Sequence, residues 1–179
     1  MTTAIDLKAL IRTVPDFPKP GVQFRDITTL LKRADAFHTV VDQFAKVYPG
    51  PPPDKIAAIE SRGFIVGAAL AFALRAGFAP IRKRGKLPAE NFGQDYELEY
   101  GTDRLEAHRD GILRGERVLL VDDLIATGGT AEAALKLIDM AGGRVVGCAF
   151  IVDLPDLGGR ARLAKLGYPI HALCQFSGR

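Results

Sequence analysis

A chain of 179 residues, 47% hydrophobic and 25% charged, has the size and balance of one globular domain with a real core, which excludes a disordered or fibrous protein. No apolar run approaches the ~18–20 residues a membrane-spanning helix needs, and a net charge of +3 is too small to argue for nucleic acid. The amphipathic opening, which carries an acidic residue, is unlike a secretory leader, so a cytoplasmic location is expected.

In chain order, Ile5, Leu7, Leu10, Ile11 and Val14 recur with roughly helical spacing before Pro15, predicting a first helix over 4–14. Residues 15–21 then crowd three prolines and a glycine together, which predicts an irregular segment. It nevertheless carries Phe17, Val22, Phe24 and Ile27, and an apolar, stiffened loop suggests binding. From Asp35, an expected cap, Phe37, Val40, Val41 and Phe44 mark one face of a helix running to about Tyr48.

The pattern then changes. Residues 55–60 read as a buried strand, 61–63 as a turn, 64–77 as a helix of small residues, and 78–84 as a second strand. Residues 96–100 and 104–108 alternate like a hairpin around Gly101. Strands at 117–123, 143–154 and 169–176 are separated by helices at 130–143 and 159–167, the spacing of βαβ units around a parallel sheet. Cys148 and Cys174 lie in strand-like runs without metal-ligand spacing, so buried thiols are expected. His38, His108 and His171 suggest no role.

The stretch "VLLVDDLIATGGT", Val118–Thr130, carries the chemistry. Two adjacent carboxylates are costly at the end of a buried strand, because desolvation and mutual repulsion both oppose charging them. Ligands of open α/β sheets bind at such strand ends. The small residues from Ala126 to Thr130 expose backbone N–H groups and two hydroxyls at the start of the next helix, which suits one phosphate. The lysine of a nucleotide P-loop is missing, and there is no GxGxxG. An acid pair for vicinal hydroxyls beside a phosphate loop describes a ribose 5-phosphate site.

This stretch resembles the phosphoribosyl-pyrophosphate (PRPP) signature of the type I phosphoribosyltransferases. "PKPGVQFRDIT", "IESRGFIVGAALA", "PIRKRGKLP" and "LEYGTDRLEAHRD" are similar, in order and spacing, to the adenine phosphoribosyltransferase branch over nearly the whole chain. The resemblance implies an α/β fold: a central, mostly parallel sheet flanked by helices, forming one domain over 1–179 with an N-terminal hood, mainly 1–34, and a flexible β flap at about 86–109. It implies that Asp122 and Asp123 hold the ribose hydroxyls, and that Ala126, Thr127, Gly128, Gly129 and Thr130 hold the 5-phosphate. Arg62 matches the pyrophosphate-loop arginine, in a loop where the family often has a non-proline cis peptide beside Ser61.

Arg82, Lys83 and Lys86 match a basic run that reaches pyrophosphate, commonly from the partner subunit, whereas Arg84 is expected to face solvent. Phe24 and Leu154 match the residues that sandwich the purine, and the main chain of Gln23 and Arg25 lies where its edge is read. Gln23 departs from the aliphatic residue common there. Glu99 matches the flap carboxylate that exchanges the purine N7 proton, and Tyr100 helps close the flap. The activity implied is transfer from PRPP to adenine, giving AMP and pyrophosphate in a homodimer, with Mg²⁺ arriving on PRPP and no direct metal ligands. No nucleic-acid or membrane partner is implied. A PRPP-binding regulator and an enzyme for another purine base remain as alternatives.

Overall fold

The computed structural model describes residues 5–47, 50–98 and 101–178. After a single 3₁₀ turn at Lys8–Leu10, strand β1 (Arg12–Pro15) pairs antiparallel with β2 (Gln23–Asp26). This ladder corrects two expectations. The helix expected over 4–14 stops after one turn because Ile11, Thr13 and Val14 are β-branched and favour extended backbone. Arg12 then finds Asp26 directly across the ladder, Nη2 to Oδ2 at 2.5 Å. The proline-rich segment becomes regular once its last proline is passed, so Gln23–Asp26 is a strand and not a loop.

Two helices follow, α1 (Thr28–Leu31) and α2 (Ala34–Val47). Asp35 lies inside the first turn of α2 instead of capping it. Its Oδ1 accepts from the Ala36 N–H at 2.9 Å and its carboxylate pairs with Arg33. Ala36, Val40 and Phe44, at intervals of four, bury one face of α2.

The remaining strands are β3 (Lys55–Ile59), β4 (Gly77–Lys83), β5 (Asn91–Leu98), β6 (Gly101–His108), β7 (Arg117–Ile125), β8 (Arg144–Asp153) and β9 (Ile170–Gln175). They form one sheet in the order β5-β6-β4-β3-β7-β8-β9. The run β4-β3-β7-β8-β9 is parallel, and the β5–β6 hairpin continues it antiparallel on one edge. Helix α3 (Arg62–Leu74) connects β3 to β4, and α4 (Gly129–Ala141) and α5 (Gly159–Ala164) follow β7 and β8.

Alternation along the central strands builds two cores. Ala57, Ile59, Val118 and Leu120 face the α4 side, while Ile56, Ala58, Leu119 and Val121 face α2 and α3. Burying each Leu, Ile or Val is worth ~1.5–3 kcal/mol, so the hydrophobic stretches that read as strands also hold both helical layers in place. Gly67 lets α3 lie close on β3, since a Cβ there would stand 2.6 Å from that of Ala58. Strand β3 runs on to β4 on one side, while β7 begins the other half of the sheet. The gap between the carboxyl ends of β3 and β7 is therefore the topological switch point, where such sheets take ligands.

Candidate active site

A cleft of about 220 Å³ opens at that switch point. The loop after β3 supplies Glu60, Ser61 and Arg62, and the end of β7 with its loop supplies Asp122, Asp123, Ala126, Thr127, Gly128 and Thr130. The Glu60–Ser61 bond is cis, at the position the resemblance pointed to. Alternation along β7 places Asp123 with Leu119 and Val121 on the α3 face, where Arg62 opens the helix. The Arg62 Nε stands 2.9 Å from Asp123 Oδ2. The cap position of α4 is Gly128, in the left-handed region at φ 81°.

The carboxylates are strained electrostatically. Asp123 is 4% exposed, and burial raises its pKa against the lowering pull of Arg62. Burial first, and then the charge of Asp123, push Asp122 well above the ordinary value. Asp122 Oδ1 accepts from the Asp123 N–H at 2.8 Å. Arg62 Nη1 is buried without a hydrogen-bond partner, and Asp123 Oδ2, though ion-paired with Arg62 Nε, is in no hydrogen-bond geometry. Unmet hydrogen-bonding capacity of this kind, an N–H donor beside carboxylate acceptors, suits a ligand carrying both phosphate and hydroxyl groups.

Backbone packing shapes the cleft from behind. A Cβ on Gly63 would come within 2.7 Å of Asp122 Oδ1, and one on Gly159 within 2.3 Å of the Ala126 carbonyl oxygen. Gly159 N–H donates to that same oxygen at 2.9 Å, fastening the start of α5 to the β7–α4 loop. The sequence reading assigned neither glycine a role. The "GG" at 158–159 was the available signal, but its partner lies more than thirty residues upstream. Tyr96 was missed as well. Its hydroxyl bonds with Thr130 and lies 3.2 Å from Asp103 Oδ2, and burial first pushes its pKa up to about 12, so it stays a neutral donor.

The other candidates lie around this centre. Gly129, buried, borders a second depression with Tyr96 and Glu132 instead of the main cleft. Arg82 reaches the cleft wall through Glu60, Nε to Oε2 at 2.7 Å, and its Nη1 donates to the Lys86 carbonyl. Lys83 turns to Asp103 at 3.3 Å, and Arg84 and Lys86 are exposed. Phe24 lies under the Arg62 guanidinium, 4.9 Å from its ring centre, and packs edge-on to Phe17. Gln23 is half-buried beside it, and Arg25 is buried. Leu154, 5% exposed, follows β8, and its N–H donates to the carbonyl of Ile125 in the cleft wall. Glu99 and Tyr100 lie outside the described residues. Burial raises both thiols, Cys148 to about 12 and Cys174 to about 11, although Cys174 is only half-buried.

Comparison with known proteins accords with this geometry. The phosphoribosyl transferase domain model matches residues 34–165. The adenine phosphoribosyltransferase of Methylobacillus flagellatus is 61% identical over 172 residues, covering 96% of this chain and 98% of that protein. The crystal structure of the Rhodothermus marinus adenine phosphoribosyltransferase superposes with a TM-score of 0.91 at 50% identity, covering 95% of this chain and 96% of that one. That of the Saccharomyces cerevisiae enzyme, complexed with an imino-altritol bisphosphate and adenine, gives 0.88 at 38% identity, covering 94% and 97%. A parallel sheet with its switch-point cleft, an acid pair with Asp123 buried and Asp122 half-buried, and a small-residue loop at the start of α4 thus occur in a chain that belongs to the adenine phosphoribosyltransferase family.

Proposed function

We propose that this chain transfers the 5-phosphoribosyl group of PRPP to adenine, releasing pyrophosphate and AMP. The observation that carries the reading is the convergence, in one cleft, of the acid pair, the N-terminal loop of α4 and an arginine with an unpartnered buried N–H. Adenine is the base because the family's members act on it and the Saccharomyces cerevisiae relative was crystallised with it.

The loop from Ala126 to Thr130 receives the 5-phosphate on backbone N–H groups at the positive end of α4. Asp122 and Asp123 accept hydrogen bonds from the ribose hydroxyls, which relieves the unfavourable burial of both charges. Arg62 Nη1 donates to a pyrophosphate oxygen, with Arg82, Lys83 and Lys86 adding positive charge. Phe24 and Leu154 flank the base, and the main chain of Gln23 and Arg25 reads its edge. The bond from the anomeric carbon to pyrophosphate breaks as the bond to adenine N9 forms, and the N7 proton passes to Glu99. The carboxylates of Asp122 and Asp123 and the Arg62 donor suit a magnesium–PRPP complex. Mg²⁺ bound to PRPP neutralises charge on the leaving pyrophosphate. Glu99→Gln keeps hydrogen bonding but cannot take a proton, so kcat should fall ~10²-fold or more with adenine affinity unchanged. A fall under roughly threefold would remove Glu99 from the chemistry.

The working unit in this reading is a homodimer, supported by an exposed apolar strip on α3 in which Phe72 is 89% exposed and Ile65 47%. A hood over 1–34 and a flap over 86–109 complete the single domain. The location is cytoplasmic, because the charge of PRPP keeps it from crossing membranes. The deciding experiment measures turnover of PRPP with adenine, hypoxanthine, guanine and xanthine. Adenine should be the preferred base by at least a hundredfold in kcat/KM; preference for an oxopurine overturns the base assignment, and no turnover with any of them leaves a PRPP-binding regulator.

A further inference from the structure

The chain's last described residues join the two sides of the proposed base slot. On one side, the Phe176 N–H donates to the carbonyl of Asp153, the residue before Leu154, at 3.1 Å. Gly178 N–H donates to Asp156 Oδ2 at 2.7 Å on the same side. On the other side, the Arg25 guanidinium lies 4.5 Å from the centre of the Phe176 ring, and its Nη2 donates to the Ser177 carbonyl at 3.0 Å. Arg25 follows Phe24 in β2 and spans the ladder to Thr13 Oγ1 through Nη1 at 2.5 Å. The Lys8 ammonium adds a second cation 5.1 Å from the same ring.

Two segments far apart in sequence, Phe24–Arg25 and Asp153–Leu154, are thus tied through one aromatic side chain. Arg25 is 8% exposed, and its Nε is buried without a hydrogen-bond partner. A buried guanidinium so placed depends on the ring beneath it, because cation–π attraction strengthens when the pair is desolvated. If Phe176 is lost, the guanidinium seeks water and carries the backbone of β2 with it.

We infer that Phe176 is a positioning residue for the base: with the 176–178 segment it clasps the N-terminal ladder to the end of β8, setting the width of the purine slot and the height of the Gln23–Arg25 main chain. The inference rests on the reading that Phe24 and Leu154 flank adenine. It separates the two substrates, because the groups proposed for PRPP come from the start of α3, from β4 and its following turn, and from β7 to α4; of these Arg62 meets the ladder through Phe24, and none shares the bonds of the 176–178 segment.

The test uses the full chain with Phe176→Ala, Phe176→Leu and Phe176→Tyr, with Phe24→Ala as reference. Phe176→Leu keeps apolar bulk without a π face and guards against a folding defect in the alanine variant. Adenine KM should rise about tenfold in the alanine and leucine variants, the size of one lost buried cation–π pair, with PRPP KM and saturating kcat within twofold of the starting enzyme. Phe176→Tyr, which keeps the ring, should restore adenine KM. The clasp is overturned if Phe24→Ala raises adenine KM while Phe176→Leu leaves it within twofold, or if both substrates' KM values rise together. Should Phe24→Ala itself leave adenine KM unchanged, the slot reading fails and the clasp falls with it.

Discussion

Asp122 shows what the site asks of a single residue. Its pKa is raised above 3.8 by burial and by Asp123, so the folded protein binds this proton more tightly than the unfolded chain does. The sign follows: the group supports folding below pH 3.8 and opposes it increasingly as pH climbs toward its raised value. Asp122→Asn keeps an oxygen for the Asp123 N–H and removes the charge. Thermal scans should show the variant melting higher than the parent at pH 7, by about 2–4 °C per kcal/mol relieved, with the gap closing toward pH 4. Its PRPP KM should meanwhile rise at least tenfold, about 1.4 kcal/mol of binding. A variant less stable than the parent at pH 7 would show that Asp122 is not under electrostatic strain. The sequence made this residue legible, since two adjacent acids after four aliphatic residues have few bland explanations. It left the partner of Asp123 open, because the pairing with Arg62 depends on β3 lying beside β7.

At the scale of elements, the β7–loop–α4 unit is complete in sequence except for its support. Gly159 closes on the loop so tightly that a Cβ would collide with Ala126 O and with Gly128 N at 2.7 Å, both main-chain atoms unable to swing aside. Gly159→Ala should therefore shift the phosphate loop, at a cost of about 1–3 kcal/mol typical of overpacking. Binding measured by calorimetry should show PRPP weakened about tenfold or more and adenine unaffected. Unchanged PRPP binding would mean that the loop needs no support from α5. Strand β5 begins at Asn91, five residues before the expected 96, and Gly101 opens β6 instead of marking the turn. Most strands and the longer helices followed from hydrophobic period and length. The N-terminal ladder did not, because apolar positions in residues 5–14 fit a helical period locally and the pairing of β1 with β2 that overrides it spans a proline-rich connection.

For the whole molecule, the α3 surface bears on assembly. Ile65 and Phe72 stand two turns apart on one helix face, exposed, with Ala68 between them. Contiguous exposed apolar surface is the mark of an interaction site. Phe72→Glu should convert the proposed dimer to a monomer in sedimentation, and activity should fall with it if Arg82, Lys83 and Lys86 act across the interface. A Phe72→Glu protein that sediments as a dimer would exclude this face.

The sequence by itself determined the α/β class, the strand–loop–helix that carries Asp122 to Thr130, and the family, because hydrophobic period and short motifs are local and survive without coordinates. Only the tertiary structure decided which elements meet. It set β3 against β7, so that Arg62 reaches Asp123 and Phe24. It also brought Gly159 under the phosphate loop and the end of the chain onto Arg25. Those contacts join residues scores of positions apart. Their pairing is chosen by the energy of the packed sheet as a whole, which no local pattern records.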